Sequence, residues 1–207
     1  MKGQGATLVI ASRNRDKIRE LANLLEGLPL AVRAAEEFPD VPVVIEETAP
    51  DLHGNALIKA RTVAKASGQW ALADDTGLEV DALGGAPGVE TARFAGPDAT
   101  YEENVAMLLE RMAGAGPGRR GARFRTVVAL CDPDGRATTV EGVCEGKISR
   151  TPVGKSGFGY DPVFAPEEAG GKTFAQMSMQ SKGAISHRGR AMVAALSEIE
   201  RRILGQG

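Results

Sequence analysis

The sequence predicts an α/β fold that forms two lobes around a central cleft, and three observations lead to this prediction. The first half alternates short apolar runs with amphipathic helical patterns, which is typical of parallel α/β units. After the glycine-rich stretch 114–121, two long strand-like runs follow one another. A last amphipathic pattern predicts a closing helix, so a β-rich insertion interrupts the α/β part of the chain.

Hydrophobic spacing and capping residues place the elements of the first half. A helix is predicted after the first strand because Ile18, Leu21 and Leu25 recur on one helical face. Asp51 is well placed as the N-cap of a second helix, which ends before Ser67-Gly68. The predicted strands cover 7–11, 30–33, 41–45 and the run that starts at Trp70, and the 41–45 pattern is interrupted by Pro42.

The second half is predicted to contain a loop, a helix, a linker and a hairpin. In chain order these cover 81–96, 100–112, 114–121 and, around the turn Asp132-Pro-Asp-Gly135, the strands 124–131 and 137–148. The hairpin prediction rests on Pro and Gly in a turn between two runs of high β propensity. Ser186 is a good N-cap for the last helix. All 207 residues are expected to form one bilobed domain.

Composition and charge limit the classes of function. Apolar residues make up 43% and charged residues 25% of the chain, which is ordinary for a soluble globular protein. The net charge of −2 and the aromatic content of 4% disfavour a nucleic-acid partner. No apolar run approaches the roughly 20 residues of a membrane helix, and no signal-peptide pattern is present. We therefore expect a cytoplasmic protein with no membrane partner, in which Cys131 and Cys144 are buried thiols.

The run Trp70-Ala-Leu-Ala-Asp-Asp-Thr-Gly-Leu78 contains the first candidate site. An apolar strand is predicted to stop at Asp74 and Asp75, where Thr76 and Gly77 turn the backbone. Since neighbouring strand residues point to opposite faces, one carboxylate can support the scaffold while the other faces a ligand. A carboxylate at the carboxyl end of a strand suits a hard cation such as Mg²⁺. The alternative is a strand-end turn in which an Asp caps its own backbone.

A second candidate, for phosphate, is the junction Ser12-Arg-Asn-Arg-Asp-Lys17 between the first strand and the first helix. Backbone N–H groups and the positive end of the helix dipole favour anions at such a junction. Lys17 adds a positive charge one turn into the helix. The alternative is a capped helix beside solvated basic residues. The segment contains no glycine, so it matches neither a dinucleotide fingerprint nor a P-loop.

Two later segments are candidates for recognition of a flat, anionic ligand. In Gly157-Phe-Gly-Tyr-Asp161, glycines on both sides of Phe158 let the backbone approach a ligand while the ring offers a flat face. The alternative is a turn with a buried aromatic side chain. Lys182, His187 and Arg188 surround the start of the last helix, where cations are electrostatically disfavoured. An anionic ligand would explain their placement.

Seven motifs of this chain resemble, in the same order, those of the inosine triphosphate pyrophosphatase family, which removes nonstandard purine nucleotides. They are Ser12-x-Asn14-x-x-Lys17, Glu46-Glu47-Thr48, Asn55-Ala56 with Lys59-Ala60, Ala73-Asp-Asp-Thr-Gly-Leu78, Leu83-Gly-Gly-Ala-Pro-Gly88, Phe158-Gly-Tyr-Asp161 and Ser186-His-Arg-Gly189. Together they cover nearly the whole chain. Thr76 stands where bacterial members carry serine, and the hydroxyl group is retained.

The resemblance implies a homodimeric, Mg²⁺-dependent enzyme with an elongated mixed β-sheet, flanking helices and a cleft between two lobes. Such an enzyme would hydrolyse ITP, dITP and XTP to the monophosphate and pyrophosphate. The resemblance also implies that Asp75 is the catalytic carboxylate and a metal ligand. Glu46 would be a further ligand, with Glu47 as the alternative. The residues assigned to substrate binding are Ser12, Arg13, Asn14, Arg15, Asp16, Lys17, Thr76, Phe158, Gly159, Tyr160, Asp161, Lys182, His187 and Arg188.

Two other functions stay open at this point. A related pyrophosphatase would act on modified pyrimidine or other nucleoside triphosphates, and a nucleotide-binding sensor would have lost hydrolysis. Asp75 and Lys17 argue against the sensor, because a pure binder gains nothing from a carboxylate that activates water.

Overall fold

The computed structural model describes residues 6–205. Within this range the strands are β1 (Thr7–Ile10), β2 (Ala31–Ala34), β3 (Trp70–Val80), β4 (Pro87–Gly88), β5 (Gly121–Cys131), β6 (Ala137–Ile148) and β7 (Phe164–Pro166). The helices are α1 (Arg15–Leu24), α2 (Leu52–Ser67), α3 (Tyr101–Arg111), α4 (Met179–Ile185) and α5 (His187–Arg202). All of these strands belong to one mixed sheet, which confirms the predicted α/β class with its flanking helices.

The sheet combines parallel and antiparallel strand pairs. Its strand order is β2-β1-β3-β5-β6-β7, and β4 pairs with β3. Strand β1 runs parallel to β2 and to β3, so that Leu8 lies opposite both Val32 and Trp70. Strands β4 and β7 run antiparallel to β3 and β6. Strands β5 and β6 follow one another through the turn at Asp132 and Gly135, which confirms the predicted hairpin.

The chain divides into two compact units, each with its own apolar core. Of the described residues, the first unit contains 6–75, 127–141 and 191–205, and the second contains 76–126 and 142–190. The core of the first unit joins α1 and α5 to the sheet through Leu8, Ile10, Leu21, Leu25, Leu72, Val128, Leu130, Ala191, Met192, Ala195 and Ile199. The core of the second joins α3 to the sheet through Leu78, Val80, Val105, Leu108, Met112, Phe124, Ile148, Phe164 and Phe174. The bilobed domain with a central cleft stays a prediction.

Local sequence signals set the helix ends where they were predicted. The Asp51 carboxylate accepts a hydrogen bond from the Gly54 N–H at the start of α2. Gly68 ends the same helix in the left-handed conformation that favours glycine, with φ 64°. The Ser186 hydroxyl accepts from the Gly189 N–H at 3.1 Å, which confirms the predicted cap of α5.

The prediction that the Trp70 strand stops at the two aspartates is wrong. Strand β3 runs for 11 residues from Trp70 to Val80, through Thr76-Gly77. Beyond the aspartates, the Leu78 N–H donates to the hydroxyl of Thr91, and Leu78 lies opposite Gly88 of β4. The backbone stays extended because Thr91 and β4 hold it. The residues next to this strand in sequence do not indicate these partners.

Residues 41–45 also differ from prediction. They form no strand, because Pro42 lacks a backbone donor and two of the apolar side chains face water, with Val43 74% and Val44 75% exposed. The expected linker 114–121 belongs to the second unit. There Arg120 is buried and donates to the carbonyl oxygens of Ile148 at 2.7 Å and of Ser149 at 2.8 Å.

The elements β4, β7 and α4 were not predicted, because each is too short to show a hydrophobic period.

Both thiols are free and buried, as predicted. Burial raises the pKa of the Cys144 thiol to about 11 and also raises the pKa of Cys131. Across residues 6–205, no helix has the length and apolar character needed to cross a membrane.

Candidate active site

Charged side chains of the first unit gather around β3 in what we call the carboxylate cluster, which consists of Lys17, Glu47, Lys59, Asp74 and Asp75. Asp74 and Asp75 are consecutive strand residues and point to opposite faces. Asp74 Oδ2 lies 3.3 Å from Lys17 Nζ of α1. Asp75 Oδ1 lies 2.8 Å from Lys59 Nζ of α2, and the same ammonium lies 3.1 Å from Glu47 Oε1. The strand pleat therefore divides the two aspartates between two different lysines.

Burial shifts the protonation equilibria of the carboxylate cluster. Asp75 is only 7% exposed, and burial raises the pKa of its carboxyl although Lys59 and Lys17 act in the opposite direction. Burial by itself would lower the pKa of Lys59, but the nearby carboxylates outweigh it and raise that pKa. The protonated ammonium form of Lys59 is thus favoured. Asp75 is a carboxylate with increased proton affinity, which is what a general base requires.

The carboxylate cluster offers hard oxygen donors but no complete metal site. Among the residues that the structure describes, no group of three or more His, Cys, Asp or Glu side chains is placed to hold a metal ion. Asp75 and Glu47 both contact the Lys59 ammonium, so two carboxylates already share one cation. This donor set fits Mg²⁺, which binds through one or two carboxylates and completes its shell with substrate phosphates and water. Glu46 is exposed, and its assignment as a ligand stays a prediction.

The predicted phosphate segment lies at the start of α1, where its polar groups bind one another. Ser12 Oγ accepts from the Asn14 N–H, and Asn14 Oδ1 accepts from the N–H groups of Asp16 and Lys17. The Arg13 guanidinium donates to the Pro42 carbonyl. Arg15 is exposed. Asn14 is therefore a helix cap, as in the alternative interpretation. Lys17 is the member that joins the carboxylate cluster. Phosphate binding by the segment stays a prediction.

Side chains of the second unit surround Phe158 in what we call the ring cluster, which consists of Tyr101, Phe158, Asp161, Lys182 and Arg188. Lys182 Nζ lies 4.8 Å and Arg188 Cζ lies 5.7 Å from the centroid of the Phe158 ring. The Tyr101 ring lies 5.8 Å away. Phe158 is half-buried, whereas both cations are buried. The cluster thus combines a flat apolar face with fixed positive charge.

Asp161 anchors the loop that carries Phe158. Its Oδ2 accepts hydrogen bonds from the Phe158 N–H at 2.9 Å and from Lys182 Nζ at 2.6 Å. A Cβ atom on Gly157, where φ is +78°, would lie 1.9 Å from the same oxygen, so this position requires glycine. Gly159 also has a positive φ of 60°. The carboxylate predicted to bind substrate is therefore engaged in fixing the loop and Lys182.

Two other predicted substrate residues pack in the core of the second unit. Tyr160 is buried, and its hydroxyl donates to the Thr91 carbonyl at 3.0 Å. Burial raises the pKa of this hydroxyl. His187 is 3% exposed and stacks on the Phe124 ring at a centroid distance of 4.4 Å. Contact of either residue with substrate stays a prediction.

A model of the Ham1 family matches residues 8–198 of this chain. The chain belongs to the Ham1 family. A dITP/XTP pyrophosphatase from Syntrophobacter fumaroxidans is 48% identical over 195 residues, which cover 94% of this chain and 82% of that protein. Another from Geobacter sulfurreducens is 46% identical over 185 residues, or 89% and 92% of the two chains. The structure of a HAM1 protein from Coxiella burnetii matches with a TM-score of 0.84 and 40% identity, covering 95% of this chain and 99% of that one.

Sequence reasoning missed two residues of this Ham1 protein, Lys59 in the carboxylate cluster and Thr126 beside the ring cluster. Lys59 occurs in a recognised motif but received no role. Its position four residues after Asn55, on the buried face of α2, is the signal that could have found it, since a lysine on such a face needs a carboxylate partner. Thr126 lies 2.7 Å from the Thr76 hydroxyl, to which Arg188 donates at 3.2 Å. No sequence signal identifies Thr126.

Proposed function

We propose that this Ham1 protein hydrolyses ITP, dITP and XTP to the nucleoside monophosphate and pyrophosphate. The observation that carries the proposal is the environment of Asp75, a buried carboxylate of raised pKa that is held by the Lys59 ammonium. The relatives named dITP/XTP pyrophosphatases support the choice of substrates. The family resemblance supports a cytoplasmic homodimer.

The carboxylate cluster would carry out the hydrolysis. Attack of water on the α-phosphorus requires a proton acceptor and positive charge near the phosphate oxygens. Asp75 would accept the proton, and Lys59 would hold the carboxylate in place through its 2.8 Å hydrogen bond. Lys17, at the start of α1, would stabilise the negative charge of the departing pyrophosphate. The segment 12–17 would bind the phosphates.

Mg²⁺ fits this chemistry as the cofactor. Asp75 would be one protein ligand. We retain Glu46 as the ligand expected from the sequence and add Glu47, because Glu47 shares the Lys59 ammonium with Asp75. When bound, the cation would supply charge to the phosphate oxygens and lower the pKa of a water molecule. Mg²⁺ binds through one or two carboxylates and completes its shell with substrate phosphates and water, so Asp75 would act with one of these two glutamates.

The ring cluster would recognise the base. Phe158 offers a face for stacking, and Arg188 offers hydrogen-bond donors. Hypoxanthine and xanthine present a 6-oxo acceptor where adenine presents an amino donor, so a fixed donor favours the oxo bases. A buried polar group left unpaired costs about 1–3 kcal/mol, which would disfavour ATP. Thr76 would orient Arg188 through its hydroxyl group.

The test is incubation with Mg²⁺ and a panel of ITP, dITP, XTP, GTP, ATP and dUTP, with identification of the released phosphate species. We expect pyrophosphate from the first three substrates. Release of orthophosphate, or equal kcat/KM for ATP and ITP, would contradict the proposal. Preference for dUTP would indicate the pyrimidine alternative, and tight binding without turnover would indicate a sensor.

A further inference from the structure

We infer that Tyr101 is a positioning residue for base recognition, because its ring holds Phe158 in the orientation in which a purine stacks on it. The inference rests on the proposed function, since it concerns recognition of the base by the ring cluster. Tyr101 belongs to α3, which is distant in sequence from Phe158, Lys182 and Arg188.

Phe158 needs a contact of this kind because its chain neighbours cannot restrain its ring. Gly157 and Gly159 both have positive φ values, 78° and 60°, and neither has a side chain to pack beside the ring. Asp161 fixes the Phe158 backbone through the N–H group at 2.9 Å. That hydrogen bond leaves the side-chain torsions undetermined. The orientation of the ring is therefore set by residues from other elements.

Side chains of α3, α4 and α5 approach the ring, and that of Tyr101 does so with an aromatic ring. The Tyr101 and Phe158 centroids are 5.8 Å apart with an interplanar angle of 42°, within the range of favourable aromatic pairs. Lys182 and Arg188 approach through their charged groups, at 4.8 and 5.7 Å. Those cations are also positioned by Asp161 and Thr76. The Tyr101 contact is between two rings and uses neither of the cations. A bound base could therefore interact with these cations without disturbing it.

The presentation of Tyr101 is rigid and independent of the core. It is the first residue of α3, directly after the N-cap Thr100, whose hydroxyl accepts from the Glu103 N–H at 3.2 Å. The Glu103 carboxylate accepts in turn from the Thr100 N–H at 2.7 Å. Helix α3 packs into the core through Val105 and Leu108, whereas Tyr101 is 38% exposed. Core packing and the Thr100 cap therefore hold α3, and the Tyr101 ring that it presents contacts Phe158.

The experiment compares Tyr101→Ala and Tyr101→Phe with the wild-type enzyme. For Tyr101→Ala we expect KM for dITP to rise about 2- to 10-fold, the effect of losing one aromatic pair, with kcat unchanged. Calorimetric titration should show the same rise in Kd for IMP and no change in Kd for inorganic pyrophosphate. Tyr101→Phe should restore wild-type values. Met179→Ala is the matched control, because Met179 is the first residue of α4 and is 43% exposed.

The outcomes separate this inference from the proposed function. If wild-type enzyme does not hydrolyse dITP, the proposed function is wrong whatever the variants do. If wild-type enzyme hydrolyses dITP but Tyr101→Ala binds IMP as tightly, only the inference is overturned. It is also overturned if Tyr101→Ala weakens IMP and pyrophosphate equally, because that result indicates a general structural defect. It is likewise overturned if Tyr101→Phe fails to restore IMP binding, because the hydroxyl group and not the ring would then be responsible.

Discussion

The two clusters of this protein contain the same ion pair in different surroundings. In the carboxylate cluster Lys59 lies 2.8 Å from Asp75, and in the ring cluster Lys182 lies 2.6 Å from Asp161. The Lys59 ammonium also contacts a second carboxylate, that of Glu47. The Lys182 ammonium instead lies 4.8 Å and 5.5 Å from the centroids of two aromatic rings.

The difference shows how neighbours decide what a buried lysine–aspartate pair can do. An excess of carboxylates around Lys59 leaves oxygen atoms that suit a divalent cation and a water molecule. An excess of positive charge around Phe158 suits a base that carries carbonyl oxygens. In the first cluster the aspartate is expected to be the reactive group. In the second, Asp161 anchors a loop and a lysine, so its effect on chemistry is indirect.

The strongest test of this comparison is Asp75→Asn. We expect kcat for dITP to fall about 10²- to 10⁴-fold, because the amide cannot accept the proton from water. Nucleotide binding should be retained, as measured by the Kd for IMP. Asp134→Asn is the control, since Asp134 lies in the hairpin turn of the same unit with a side chain that is 72% exposed. An active Asp75→Asn enzyme would place the base elsewhere.

Lys59→Met tests whether the ammonium neutralises its carboxylates. Removal of one partner of a buried ion pair leaves an uncompensated charge, and we expect a loss of about 3 kcal/mol in the free energy of unfolding, measured with urea. Mg²⁺ should restore more stability to this variant than to wild type, because it binds the folded state. Lys65→Met, at an exposed position of the same helix, should change stability by less than about 0.5 kcal/mol. Equal losses in the two variants would argue against the assigned role.

Phe158→Ala probes the ring cluster in isolation. Loss of one base–aromatic stack corresponds to about 1–3 kcal/mol, so we expect KM for dITP to rise about 5- to 100-fold. The kcat value should change little, because the carboxylate cluster is intact. Phe158→Tyr keeps the flat ring and should retain most of the binding. A fall in kcat with constant KM would mean that the two clusters do not divide recognition from chemistry.

The smallest expected effect concerns the thiols, one in each unit: Cys131 in the first and Cys144 in the second. With a pKa of about 11, only about one Cys144 thiol in a thousand is ionised at pH 8, and the thiolate is the nucleophile. We expect almost no labelling of either thiol by iodoacetamide in the native protein and complete labelling in urea, as measured by peptide mass spectrometry. Rapid labelling of one thiol alone would show that its unit opens more readily.

Prediction from sequence succeeded where a signal was local and failed where a partner was distant. Asp51 and Ser186 begin their helices because capping depends on residues three positions away. The end of the Trp70 strand was predicted wrongly because its extension depends on Thr91 and β4. The strand predicted at 41–45 does not form, because an apolar run interrupted by Pro42 does not by itself provide a partner strand.

Sequence reasoning identified residues of the two clusters better than it predicted the contacts between them. Spacing and motif resemblance identified Asp75, Lys17, Phe158 and Arg188, and the comparisons confirmed the family. They did not reveal that Lys59 binds Asp75, since the two residues meet only when α2 packs beside β3. They assigned Asp161 to substrate binding, because its contacts with the Phe158 N–H and the Lys182 ammonium form only in the folded chain.

The sequence by itself determined the α/β class, the helix caps, the hairpin, the family and the residue types of the site, because these depend on periodicity, short-range hydrogen bonds and motif order. Only the tertiary structure decided which charges meet and how deeply they are buried. Burial and partner geometry set the pKa of Asp75, the attachment of Lys182 to Asp161 and the contact between Tyr101 and Phe158. Such effects act over a few ångströms in space, and those distances bear no fixed relation to separation along the chain.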